Sequence, residues 1–293
     1  MIVITAPTSQ IGRQVLDNVL DAGEPVRVIA RDPARLSPRV RERVEVVTGS
    51  HGDIDVVSKA FAGADSVFWL VPPDPRAKSA EDAYVGFSRP AIDAFAGQGV
   101  ARVVGISALG RGVPGYAGHV SASLAMDDLI AETGVGYRAL TMPSFMDNTL
   151  RQAAAIRDDG VFAVPASADF KAPICATRDV AAVAARLLLD HSWSGPGAVP
   201  VLGPEDLSFT DMARIISEVL GKPVRFQSVP IESFRAALAQ RGMSEAMAQA
   251  TVDMMTAKER GLDNAEPRTP QASTPTGFRQ WCEEVLKPAV LSA

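Results

Sequence analysis

The chain has 293 residues, 47% of them hydrophobic, with a formal net charge of −5 and a pI near 5.3. An acidic chain is a poor match for nucleic acid or an anionic membrane, both of which select basic surfaces, and no apolar run reaches the length of a bilayer span. Met1–Thr5 is too short for a secretory apolar segment, and Cys175 and Cys282 lack the spacing of a zinc site or a disulfide framework, so the expectation is a cytoplasmic, metal-free protein acting on small molecules.

In chain order, Met1–Thr5 (MIVIT), the turn Ala6–Gly12 (APTSQIG), the run Arg13–Ala22 and Pro25–Arg31 (PVRVIAR) read as strand, turn, helix, strand, the opening of a dinucleotide-binding unit. Further strand candidates are Val44–Val47, Ser66–Val71, Arg102–Ser107 and Tyr137–Thr141; between them Ile54–Phe61, Glu81–Phe95 and Ser121–Ala131 carry apolar residues at helical spacing. Such alternation builds an open, doubly wound parallel sheet covered on both faces. Right-handed crossovers then place a ligand beyond the carboxyl ends of the strands. Functional residues are expected just after Thr5, Ala30, Val71 and Ser107.

From Phe145 the alternation weakens. Gly160–Pro165 reads as one arm of a short hairpin, Thr177–Leu189 as a helix with Asp179 near its positive end, and Val199–Leu202 as a strand. Ser208–Asp211 opens a helix that Gly221 and Pro223 stop, Val224–Val229 is a strand, and Ile231–Arg241 and Ser244–Gly261 are helices. Met243, Met247, Met254 and Met255 fall there, either filling a core or forming a pliable lid over an apolar ligand. Asn264–Thr276 reads as an exposed loop and Gly277–Leu286 as a closing helix. The expected organisation is a dinucleotide-binding α/β domain over residues 1–150, its sheet completed from within 171–205, and a smaller α+β substrate region over 151–293.

A pyrophosphate at a helix N-terminus needs backbone N–H donors and close approach, which suits glycine at the first, fourth and seventh turn positions. Here those positions hold Ala6, Ser9 and Gly12, and Pro7 removes a donor. Thr8 and Ser9 offer hydroxyls to a phosphate or cap the helix; the alternative is a capped turn that binds nothing. Arg31, at the end of the second strand, stands where an acidic residue would hold a ribose 2′-hydroxyl, and with Arg35 it suits a 2′-phosphate, which favours NADP(H) over NAD(H). Asp32 beside it offers a competing ribose acceptor.

These residues resemble the NmrA-like atypical short-chain dehydrogenase/reductases over nearly the whole chain. The resemblance is carried by Val3–Gly12, Val26–Pro33, Gly49–Asp53, Ala64–Pro73, Val103–Gly110, Tyr137–Asn148 and Ala176–Ala181. It implies a Rossmann domain with a small C-terminal substrate domain and NADP or NAD at the first turn. Cofactor-binding positions on this reading are Ala6, Thr8, Ser9, Gln10, Ile11, Gly12, Arg31, Arg35, Val71, Ser107, Ser123 and Pro143. Family members include reductases of phenolic and quinone-like compounds, tailoring enzymes of natural-product pathways, and non-enzymatic redox sensors.

Typical short-chain reductases carry a Tyr-x-x-x-Lys pair on a helix; the matching positions within Ala117–Ile130 are His119 and Ser123, so both groups are absent. The i, i+4 spacing keeps them on one helix face, and a histidine can give or take a proton near neutrality. His119 is therefore the acid/base candidate, with Ser107 and Tyr116, the latter in the glycine-rich loop Gly110–Gly118, as auxiliary donors. Trp69, Phe145, Met146 and Phe162 are candidates to line an aromatic-sized pocket. The expected function is an NADP(H)-linked oxidoreductase acting on a small aromatic, quinone-like or polyketide-like substrate, with a homodimer as the candidate assembly. The alternatives are a non-catalytic NAD(P)-sensing regulator, or a tailoring monooxygenase or dehydratase on the same fold.

Overall fold

The protein is described from a computed structural model covering residues 1–292. It divides into two compact units: Met1–Ala108 with Ser121–Thr141 and Val180–Val199, and Leu109–Val120 with Met142–Asp179 and the chain from Pro200. In order come β1 (Ile2–Ile4), α1 (Gln10–Asp21), β2 (Val26–Ala30), α2 (Pro38–Arg41), β3 (Val44–Thr48), α3 (Ile54–Phe61), β4 (Ser66–Trp69), α4 (Phe87–Gly97), β5 (Arg102–Ala108), α5 (His119–Glu132) and β6 (Gly136–Met142). There follow β7 (Ser144–Phe145), α6 (Ala153–Asp158), β8 (Val161–Val164), β9 (Ala172–Cys175), α7 (Thr177–Leu189), β10 (Pro196–Pro200), β11 (Asp206–Leu207), α8 (Phe209–Leu220), β12 (Arg225–Ser228), α9 (Ile231–Gln240), α10 (Glu245–Glu259), α11 (Phe278–Trp281) and α12 (Lys287–Ser292).

Seven strands make one sheet in the order β10-β6-β5-β4-β1-β2-β3. β1 pairs in parallel with β2 on one side and β4 on the other, so the strand order reverses there, the point at which doubly wound sheets bind ligands. The central strands are apolar on both faces because helices cover both: Val3, Val67 and Val103 are fully buried, packed with Phe61, Phe95 and Trp69. The sheet is the α/β architecture that the alternating sequence predicts.

The second unit has its own core around Met146, Ile156, Phe162, Ile216, Phe278 and Trp281. Three sequence expectations are corrected, two in this unit and one at β10 of the seven-stranded sheet. Val161–Val164 is not a hairpin arm: β8 pairs in parallel with β12, Phe162 opposite Phe226, a partner that local sequence cannot disclose. The strand expected at Val199–Leu202 is shifted to Pro196–Pro200. The segment Asn264–Thr276 is not simply an exposed loop, since Leu202 donates to the Ala272 carbonyl and Thr274 donates back to Leu202, burying Ala272, Thr274 and Thr276.

Candidate functional site

β1 stops after Ile4, and the Thr5 hydroxyl, donating to the Phe68 carbonyl and accepting from the Leu70 N–H, both at 2.9 Å, ties that end to β4. The chain then turns at Ala6 with φ of 48°, the left-handed conformation that favours glycine. A Cβ on Gly12 would collide with the Ala6 carbonyl oxygen and stand 2.8 Å from Ser9 Oγ, so only glycine fits where α1 closes on the turn. Ser9 caps α1, its hydroxyl oxygen accepting from Gly12 N at 3.0 Å, which leaves the Ser9 O–H as a donor. The turn thus combines a left-handed first position, a close approach at Gly12 and a capped α-helix N-terminus, although two of its three expected glycines are replaced.

At the end of β2, Asp32 accepts from Ala34 N at 3.0 Å and caps the short helical turn Pro33–Arg35. That bond engages one carboxylate oxygen and leaves Oδ2 as an acceptor. Arg31 and Arg35 are exposed and make no ion pair among the described residues, so two cationic side chains stand free just after β2. His51, in the loop after β3, is buried with its Nε2 3.0 Å from the Leu70 carbonyl and its ring edge-on to Trp69 and Phe87. Burial, with the positive charge of Arg31 adding to it, lowers its pKa to about 4 despite the bond to Leu70.

The carboxyl end of β5 carries a buried polar cluster that sequence reasoning did not assemble. Ser107 Oγ donates to Asp127 Oδ2 on α5, and the Tyr137 hydroxyl on β6 donates to Asp127 Oδ1 at 2.6 Å. The three residues are 6%, 2% and 2% exposed for Ser107, Asp127 and Tyr137. Asp127 lies four residues beyond Ser123 and eight beyond His119 on the same helix, so the i, i+4, i+8 period was a signal available to find it. Ser123 is buried.

In the second unit, His119 Nε2 lies 3.1 Å from Thr251 Oγ1 on α10. Thr251 spends its own proton on the Met247 carbonyl at 2.9 Å, so its oxygen accepts and the imidazole carries its proton on Nε2. Burial pulls the His119 pKa below its ordinary value, with a bond to the Met247 carbonyl opposing; the ring is neutral near pH 7. Tyr116 is 65% exposed, and Pro143 and Val71 are buried.

Of the four pocket candidates, Phe145 alone is partly exposed. Trp69 is fully buried in the core of the first unit with Nε1 donating to Ser88 Oγ at 3.3 Å, and Met146 and Phe162 belong to the core of the second. Their bulk is spent on packing, which corrects their assignment as pocket surface. Cys175 and Cys282 are free and buried; burial pushes both thiols up, that of Cys282 to about 12, so neither is a nucleophile near neutrality. Among the described residues no His, Cys, Asp and Glu group could hold a metal ion, and no helix is long and apolar enough to cross a membrane.

The model of the NmrA-like family matches residues 1–283. A (4-alkanoyl-5-oxo-2,5-dihydrofuran-3-yl)methyl phosphate reductase of Streptomyces griseus is 33% identical over 97% of both chains. An NAD(P)H azoreductase of Xenophilus azovorans is 28% identical over 85% of this chain and 84% of the relative. Among solved structures, an NADPH-dependent quinone oxidoreductase of Escherichia coli complexed with NADPH matches with a TM-score of 0.77 at 23% identity, covering 100% of this chain and 99% of the other.

Proposed function

This chain belongs to the NmrA-like family, and from that premise we propose that it is an NADP(H)-dependent oxidoreductase whose substrates are small, conjugated, electron-poor acceptors. The cofactor assignment is supported by the Ala6–Gly12 turn, which offers backbone N–H groups and the Ser9 O–H to a pyrophosphate, and by Arg31 and Arg35, which suit a 2′-phosphate. Bound NADPH supplies a hydride, so acceptor, NADPH and one proton give reduced acceptor and NADP⁺.

The substrate class rests on where the protons point. His119 turns its N–H toward Thr251 and Ser107 turns its O–H toward Asp127. With no Tyr-x-x-x-Lys pair on α5, neither group presents an acid to a newly formed alkoxide. Reduction of an isolated ketone makes a strongly basic oxygen that needs such an acid. Reduction of a quinone, an azo bond or an activated C=C bond makes a delocalised anion that takes its proton from water. The relatives named above, a reductase of an unsaturated lactone, an azoreductase and a quinone oxidoreductase, all handle acceptors of this kind.

The test is NADPH oxidation by the full chain with a quinone, an azo dye and an α,β-unsaturated lactone, each set against a saturated ketone. The conjugated acceptors should turn over at least about a hundredfold faster than the ketone, the lower end of what a general acid contributes. Comparable turnover of the ketone overturns the substrate class. Tight NADPH binding with no oxidation by any acceptor overturns the enzymatic reading in favour of a redox sensor.

A further inference from the structure

We propose that Ser107 meets its ligand as a hydrogen-bond acceptor, that Asp127 is the positioning residue that fixes it so, and that the partner is an N–H or O–H donor: the carboxamide of the nicotinamide or a hydroxyl of the substrate. The inference rests on the reading that this chain binds a nicotinamide dinucleotide.

The argument is proton arithmetic. A serine hydroxyl has one proton and two lone pairs, and an ionised carboxylate only accepts. Asp127 accepts a hydrogen bond from the Ser107 hydroxyl on one oxygen and from the Tyr137 hydroxyl on the other. Ser107 Oγ is left with lone pairs alone for anything arriving at the carboxyl end of β5. This reverses the role of donor that the sequence suggests for it. The arrangement is built rather than incidental: a Cβ on Gly105 would collide with the Tyr137 hydroxyl and stand 2.8 Å from Cε2 of the same ring, so the glycine on β5 makes the room through which the phenol reaches Asp127.

Topology says which half of a dinucleotide lies near. β2, with Arg31 after it, stands on one side of β1, and β4 and β5 stand on the other. A dinucleotide whose pyrophosphate sits at the β1 turn and whose 2′-phosphate meets Arg31 directs its nicotinamide toward β4 and β5. Ser107 ends that side, one residue before the end of β5.

The experiment is a fluorescence titration of the full chain with NADP⁺ and with its 3-acetylpyridine analogue, in which a methyl ketone replaces the amide and removes the N–H donor. A second arm titrates the NADP⁺-loaded protein with a hydroquinone and with its dimethyl ether, which lacks the O–H donors. The parent should favour the donor-bearing member of one pair by about fivefold, the worth of one modest hydrogen bond; which pair responds assigns the source. In Asp127→Asn the new amide donates to Ser107 and turns its proton outward, so that preference should fall to one or below. Ser107→Ala should also abolish it, and carries the test alone if Asp127→Asn does not fold. Tyr137→Phe, which leaves the Ser107–Asp127 bond in place, should retain it. A parent without preference in either arm, or a preference unchanged in Asp127→Asn and Ser107→Ala, overturns the inference while cofactor binding stands. A parent that binds no NADP⁺ removes the functional reading itself and this inference with it.

Discussion

The turn Ala6–Gly12 and the inner face of α5 have both lost the residues that their relatives' chemistry leads one to expect, with opposite consequences. In the proposed function the turn acts through backbone N–H groups, a role that requires only that the backbone keep its shape. Ala6 adopts the left-handed conformation anyway, and Gly12 keeps the one close approach that no side chain can share. The α5 face works through side-chain protons. There His119, Ser123 and Asp127 keep the spacing but not the chemistry, and the structure points the protons of His119 and Ser107 inward. Substitution in a backbone site costs strain; substitution in a side-chain site changes the reaction.

Breaking the backbone site should give the largest effect. In Gly12→Ala the new methyl meets the Ala6 carbonyl, which is main chain and cannot swing aside. Destabilisation of at least about 3 kcal/mol is expected, at the upper end of overpacking costs, with loss of NADPH binding. Denaturant melts and cofactor titration check both. A fully stable, cofactor-competent variant would show that the turn is looser than its contacts require.

The two histidines sharpen the contrast. Both are held neutral by burial, His51 at about 4 and His119 below its ordinary value. Well above pH 6.5 neither is charged, folded or unfolded, and no stability is lost. As the pH falls from 6.5 to about 4, the unfolded chain takes up the His51 proton while the folded chain does not, so stability declines. The ceiling for His51 is about 3 kcal/mol. Chemical melts across this window should show the decline, and His51→Gln should flatten most of it, with His119→Gln removing a smaller part. A slope unchanged in His51→Gln would place the acid sensitivity elsewhere.

Arg31 tests whether a side-chain element on the dinucleotide's far half behaves like the turn or like α5. A charge-assisted bond to a phosphate is worth about 1.5–3 kcal/mol, so NADPH should bind at least about tenfold more tightly than NADH. Arg31→Ala should narrow the gap to what Arg35 sustains. Equal affinities of the parent for the two cofactors would remove the 2′-phosphate assignment.

What the sequence discloses follows the same division. The strands and helices of the first unit are legible because period-2 and period-3.6 patterns are local, as are the Gly12 close approach and the Arg31 charge. The cluster of Ser107, Asp127 and Tyr137 joins β5, α5 and β6, and each member alone reads as a strand end, a helix surface charge and a core aromatic. Thr251 lies 132 residues from His119, so the proton placement on that imidazole is set by a contact that no local pattern carries. The same holds for Trp69, Met146 and Phe162: apolar bulk is visible in sequence, but whether it lines a pocket or fills a core is decided by what packs over it.

Ala6 offers the finest probe of the contrast, because two terms of opposite sign act on one methyl group. Holding an alanine at φ of 48° costs about 1–2 kcal/mol against a right-handed or extended conformation. Ala6→Gly releases that strain but frees the unfolded chain by about 0.4–1 kcal/mol. The balance predicts a gain of about 0.5 kcal/mol, small enough that equilibrium melts in urea, read at the midpoint, are the appropriate measurement. NADPH affinity should hold, since glycine adopts the same φ and the turn's N–H groups keep their directions. A destabilised Ala6→Gly variant would mean that the methyl makes a packing contact worth more than its strain; the turn would then depend on a side chain after all, and the distinction from α5 would fail at its clearest point.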